Sequence, residues 1–126
     1  MRTIKFRGKD IETGEWIYGD LLQRIGYMPS ILYPYEHNGK VCYAECAVKR
    51  ETVGQFTGLT GKNDKEIYEG DIITFDNHLQ GVSQVVYNYA GFDVVSNNYR
   101  TTLRPMMNNH IRVIGNIHDN PELLNN

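Results

Sequence analysis

Alternation of apolar and polar positions is the clearest pattern at the start of the chain. Ile4 and Phe6 alternate with Lys5, Arg7 and Lys9, and after the polar stretch Glu12-Thr13-Gly14-Glu15 the chain returns through Trp16, Ile17, Tyr18 and Gly19. A period of two belongs to a β-strand, so residues 2–22 are predicted to form a hairpin. The densest set of backbone signals follows at 51–73, ETVGQFTGLTGKNDKEIYEGDII, where Gly54, Gly58, Gly61 and Gly70 punctuate β-prone pieces too short for helices. This stretch predicts a strand, a turn at 60–64, and a second run that bends at Gly70-Asp71 before becoming a strand. Further strands are predicted at 72–75, 82–89, 92–96 and 110–117, with Gly81 and Gly91 at junctions. Strands this short and closely spaced suggest a small SH3-like curled barrel.

Two segments carry weaker patterns. Residues 23–40 contain Pro29 and Pro34 among Tyr27, Tyr33, Tyr35 and His37, and read as an irregular excursion that either lines a cleft or packs as a lid. The run His37-Asn38-Gly39-Lys40 is a hairpin signal, after which 41–48 returns as a strand or a short irregular piece. Residues 97–109, with Arg100, Arg104, Pro105, Met106 and Met107, are expected to be a long mobile loop that grips a partner or folds back on the barrel. At the end, Asn120 before Pro121 and Glu122 predicts a short capped helical turn, with Leu123 and Leu124 closing a barrel end or an intersubunit groove. The expected fold is mostly β with minor α. It is a single 126-residue domain made of an N-terminal hairpin lobe and loop (1–50), a linking stretch (51–73) and a small β-barrel lobe (66–126).

Composition fits this picture, with 40% hydrophobic and 22% charged residues, the balance of a globular chain rather than a disordered one. A formal net charge of −2 removes the general cationic character that would make nucleic acid the default partner. No apolar run is long enough for a membrane helix, and MRTIKFRGKD is followed by no apolar secretory core. A cytoplasmic setting is therefore expected, with no membrane partner.

Local chemistry offers two candidates. Alternation places Lys5, Arg7 and Lys9 on one face of the first strand, where they could contact phosphates beside Trp16 and Tyr18 as stacking platforms. The competing reading is a solvated face whose lysines discourage edge pairing, with Trp16 in the core and Asp10, Glu12 and Glu15 cancelling much of the field. The second candidate is the carboxylate set Glu51, Glu69, Asp71 and Asp119 with His118, groups that can bind a divalent cation or move protons. Against it, an Asp that follows a glycine at a strand start commonly caps nearby backbone N–H groups. Cys42 and Cys46 stand four apart, more than roughly 12 Å along a strand and too far for a disulfide, whereas a helix would stack them and a turn could bring them together; the expected reading is ordinary small buried side chains. His37, His78, His110 and His118 form no ligand spacing, so no metal or other cofactor is expected. No nucleophile elbow, phosphate loop or zinc-hydrolase helix occurs, so an enzyme is not the expected reading.

The runs ETVGQFTGL and EIYEGDII, with KFRGKDIETGEWIYGDL at the start and VIGNIHDNPELL at the end, resemble the YopX family of small phage and prophage proteins. The resemblance covers both ends and the middle and is loose over 23–47 and 76–110. The chain departs from the family pattern at Thr60-Gly61-Lys62-Asn63-Asp64, where the acidic and glycine positions of the family loop are exchanged. The resemblance implies a mostly β fold, a phage-related origin in a bacterial host cell, and no established reaction. It marks Thr52, Gly54, Gln55, Gly58, Glu69, Gly70, Asp71, Gly115 and Asn116 as motif residues with structural roles. The expected function is a non-enzymatic accessory module that self-associates or binds a protein. The alternatives are a nucleic-acid-binding accessory protein and, behind it, a metal-dependent enzyme.

Overall fold

A computed structural model describes residues 1–76, 81–97 and 99–125; His78 and most of the link predicted at 76–80 lie outside them. The backbone is mostly β, arranged in antiparallel ladders, and divides into two units, Met1–Gln55 and Phe56–Asn126.

In the first unit the alternating start forms β1 (Phe6–Lys9) and β2 (Trp16–Leu22), with Lys9 opposite Trp16 and Arg7 opposite Tyr18. Asp10 closes the turn between them, its carboxylate accepting the Glu12 N–H at 2.8 Å. The predicted excursion is irregular only over 23–29; beyond it β3 (Ser30–His37) and β4 (Lys40–Ala47) pair without a break from Ser30 opposite Ala47 to His37 opposite Lys40. Pro34 is tolerated because β2 pairs with β3 only at Ser30, Ile31 and Leu32. At Pro34 no ladder requires an N–H on that side. Asn38 and Gly39 supply the turn, with φ of 52° and 76°. The strand order of this unit is β4-β3-β2-β1-β5, where β5 (Gly54–Thr60) contributes Gly54 and Gln55 opposite Arg7 and Phe6. Ile31 and Val48 are fully buried within it.

The second unit begins with the rest of β5. Phe56 pairs with Tyr68 and Thr60 with Glu66 of β6 (Glu66–Tyr68), so three residues of β5 oppose one of β6. The Thr57 hydroxyl stabilises this bulge by donating to the Ile67 carbonyl at 2.8 Å. The main sheet runs β10-β9-β8-β7-β11, from β7 (Asp71–Phe75), β8 (Val82–Asn88), β9 (Gly91–Ser96), β10 (Tyr99–Thr102) and β11 (Ile111–Asn116). Its core is Ile73, Phe75, Val85, Val94 and Ile111 of this sheet, with Ile67 of β6 and Leu103 just after β10.

Two expectations change here. Closure into an SH3-like barrel is not observed among the described residues, because β10 pairs only with β9 and β11 only with β7, which leaves an open sheet. The segment expected to be a mobile loop contains β10 and a 3₁₀ turn at Pro105–His110. It is held by Leu103, buried in the core, and by an ion pair from Arg100 Nε to Asp93 Oδ2 at 3.1 Å. The final turn forms as 3₁₀ at Pro121–Asn125, with the Asn120 carbonyl accepting the Leu123 N–H at 3.1 Å and its side-chain Oδ1 accepting the Asn116 N–H of β11.

Two outcomes follow for the second unit. Ser83 Oγ is buried with no hydrogen-bond partner among the described residues, so Ser83→Ala is expected to leave stability unchanged or raise it by about 1 kcal/mol in denaturant unfolding. Asp93 is held below the usual carboxylate range by the Asn88 amide and then by Arg100. A carboxyl whose folded pKa is depressed stabilises the native state above its unfolded pKa and loses that contribution as pH falls through the folded one. Asp93→Asn should therefore flatten the acid limb of the stability profile below about pH 5; an unaltered limb would remove Asp93 as its source.

Candidate functional site

The residues singled out in the sequence fall into two clusters, one in each unit. On β1 and β2, cross-strand pairing gathers Arg7, Lys9, Trp16 and Tyr18 on one face. The Arg7 guanidinium lies 4.6 Å from the Trp16 ring centre and Lys9 Nζ 5.4 Å from it, so the ring sits in cation–π contact with both. Arg7 is buried, Lys5 half-buried just before β1, and Tyr18 exposed. Thr52 braces the same strand from behind, its hydroxyl accepting the Lys9 N–H at 2.8 Å and donating to the Lys49 carbonyl at 2.6 Å.

The second cluster joins the two most motif-like runs. Gly70 takes φ of 92°, a left-handed conformation suited to glycine, and its N–H donates to the Val85 carbonyl at 2.8 Å. The chain then enters β7 with Asp71 opposite Asn116. Asp71 is buried and accepts the Tyr68 N–H on Oδ2 at 2.7 Å. Asn116 Oδ1 accepts the N–H groups of His118 and Asp119 at 3.0 and 2.9 Å, and its amide nitrogen donates to Asp119 Oδ2 at 3.2 Å. Asn120 Oδ1 accepts the Asn116 N–H, and Ile117 N–H donates to the Gly70 carbonyl at 2.9 Å. Gly115 permits the turn, since a Cβ there would stand 2.5 Å from Asn120 Oδ1. The motif acids and amides are thus arranged around backbone groups. Glu51 lies in the other unit, on a 3₁₀ turn at Arg50–Thr52. Among the described residues no three His, Cys, Asp or Glu side chains converge as metal ligands.

Two further features bear on chemistry. A cleft of about 170 Å³ opens between Val82, Gln84, Val95, Ser96, Asn97 and Leu124. That is room for one side chain, below the several hundred Å³ of sites for cofactors and drug-sized ligands. Cys46 is free, and burial, followed by its hydrogen bond to Asp10, pushes its thiol up to about 11, so it stays protonated at neutral pH.

Sequence reasoning missed the surface of the β3–β4 ribbon. Tyr33, Tyr35, Cys42 and Ala44 share one face, and Pro34, Val41 and Tyr43 the other. Val41 and Tyr43 are 67% and 63% exposed. The Asn38-Gly39 turn signal, extended along the alternation of 41–47, would have marked this ribbon; the two prolines obscured it.

The fold defines a small, mostly antiparallel β protein. A family model described as YopX protein matches residues 5–125, and the chain belongs to the YopX family. It is also similar in fold to protein EF1440 from Enterococcus faecalis, whose crystal structure superposes with a TM-score of 0.67 over 98% of this chain and 99% of that one at 23% identity. No curated protein matches it. No helix among the described residues is long and apolar enough to cross a membrane.

Asn116→Ala would orphan the His118 and Asp119 N–H groups together, and we expect a loss of roughly 2–3 kcal/mol in denaturant unfolding. A change within about 0.5 kcal/mol would show that the joint is dispensable.

Proposed function

We propose that this chain is a non-enzymatic accessory module of phage or prophage type, acting in the cytoplasm of a bacterial host by self-association or by binding a protein. The observation that carries the reading is the β3–β4 ribbon. It presents exposed Val41 and Tyr43 on β4, an eight-residue strand that forms the edge of its sheet. Native edges are normally protected by charges, prolines, bulges or brevity. Within β4 the run from Val41 to Ala44 is uncharged, contains no proline and keeps register throughout. Exposed apolar surface of this kind marks interaction sites.

A second reading is an accessory nucleic-acid binder working through the β1–β2 face, favoured by Lys9 and exposed Tyr18 beside Trp16. Light scattering during size-exclusion chromatography separates the two, run with and without short nucleic acids at low salt. The interaction module gives a mass independent of nucleic acid, with a discrete multiple of 14.5 kDa or a complex with a host or phage protein. A mass increase that needs nucleic acid, reverses with salt and disappears in the Lys5, Arg7 and Lys9 to alanine triple variant would replace it with the second reading.

A further inference from the structure

We infer that the partner at the β4 edge is a second copy of this chain, joined by antiparallel β4–β4 pairing about a twofold axis at Tyr43. The inference rests on the interaction reading above and specifies its surface and partner. It begins with the direction in which β4 aims its backbone groups. In a two-residue hairpin the residues flanking the turn exchange both hydrogen bonds, and pairs alternate from there. His37 and Lys40 flank the turn, so Lys40, Cys42, Ala44 and Cys46 direct their N–H and C=O groups at β3. The Val48 N–H, which donates to the Pro29 carbonyl at 3.0 Å, keeps this parity. Val41, Tyr43, Glu45 and Ala47 therefore aim theirs away from the sheet. Ala47 is already engaged, its carbonyl accepting the Ile11 N–H at 3.2 Å. Among the described residues the open edge thus consists of Val41, Tyr43 and Glu45, bounded by the turn at one end and by Ile11 at the other.

Three outward residues at a spacing of two have a centre of symmetry at the middle one. An antiparallel copy placed about Tyr43 sets Val41 opposite Glu45 of the second copy, Tyr43 opposite Tyr43, and Glu45 opposite Val41, which satisfies every open group on both strands. Shifting the axis to Cys42 or Ala44 leaves Glu45 or Val41 without an open partner. The charges agree with the antiparallel arrangement. Each Glu45 stands opposite the uncharged Val41 of the copy rather than a like charge, and the two Glu45 side chains stand four residues apart along the ribbon. Arg24, paired with Glu45, already neutralises that carboxylate. The same pairing covers Tyr43 and Val41, and an isologous contact of this type closes as a dimer.

The register is tested by geometry-specific cross-linking together with mass in the full-length chain. In this register Cys42 of one copy faces Ala44 of the other in a non-hydrogen-bonded pair, the close type of antiparallel pair, with Cα atoms about 4.5 Å apart. Within one strand the same two positions lie roughly 6.6 Å apart with side chains aligned, which disfavours an internal bond. Ala44→Cys is therefore expected to give a reducible covalent dimer on mild oxidation, while the unaltered chain does not cross-link. Tyr43→Lys, a change at an exposed position that sets two ammonium groups opposite each other, is expected to return the mass from a multiple to 14.5 kDa with an unchanged β circular dichroism spectrum. A multimer indifferent to Tyr43→Lys and without the Ala44→Cys cross-link overturns the inference while leaving the interaction reading intact. Cross-linking of the unaltered chain through Cys42 overturns the register. A monomer at all concentrations that captures a host or phage protein overturns self-pairing, and one that captures none overturns the interaction reading as well.

Discussion

Backbone N–H and C=O groups must be paired wherever water is excluded, and the second unit meets that demand through two buried side chains, Asp71 and Asn116. They stand opposite each other on β7 and β11, and between them they accept the N–H groups of Tyr68, His118 and Asp119. The His118 and Asp119 N–H groups lie in the turn that follows β11, and the Tyr68 N–H at the end of β6, just before the bend at Gly70. A side-chain acceptor held nearby is the local alternative. The joint sets where β7 begins and β11 ends, and the registers of those strands bring Ile73, Phe75 and Ile111 into one core. It also gives Asp71 and Asn116, two of the most motif-like residues, a part in pairing backbone N–H groups.

The first unit solves the same problem differently. Its interior strands pair with neighbours on both sides, its turn at Asp10 is closed by a carboxylate, and Thr52 bridges Lys9 to Lys49. Arg7 and Lys9 lie against Trp16, which ties the cations of this face to an aromatic ring. The exception is the outer side of β4, where three residues keep backbone groups open beside exposed Val41 and Tyr43. The open, uncharged run from Val41 to Ala44 is what directs the functional reading proposed above towards association.

Much of this was legible in the sequence because the signals were local. Alternation marked β1, β2 and the central strands, Asn38-Gly39 marked its turn, and Gly70-Asp71 marked its bend. What escaped detection depended on neighbours. Pro34 reads as a strand breaker until it is known that β2 ends its pairing at Leu32, so that no donor is required there. Arg100 and Leu103 read as loop residues until Asp93 and the core supply their partners. Barrel closure likewise depends on how far the terminal strands reach, which spacing along the chain does not encode. Of the candidate sites, the face of Arg7, Lys9, Trp16 and Tyr18 followed directly from alternation. The open edge of β4 required the sheet order.

Amide hydrogen exchange resolved by residue, at low and high protein concentration, tests the central claim most directly. Self-pairing predicts that the outward amides of Val41, Tyr43 and Glu45 exchange freely in dilute protein and become protected together as concentration rises. Those of Cys42, Ala44 and Cys46, already paired with β3, would be protected throughout. Free exchange of Val41, Tyr43 and Glu45 at every concentration, with the neighbouring amides protected, would contradict the account.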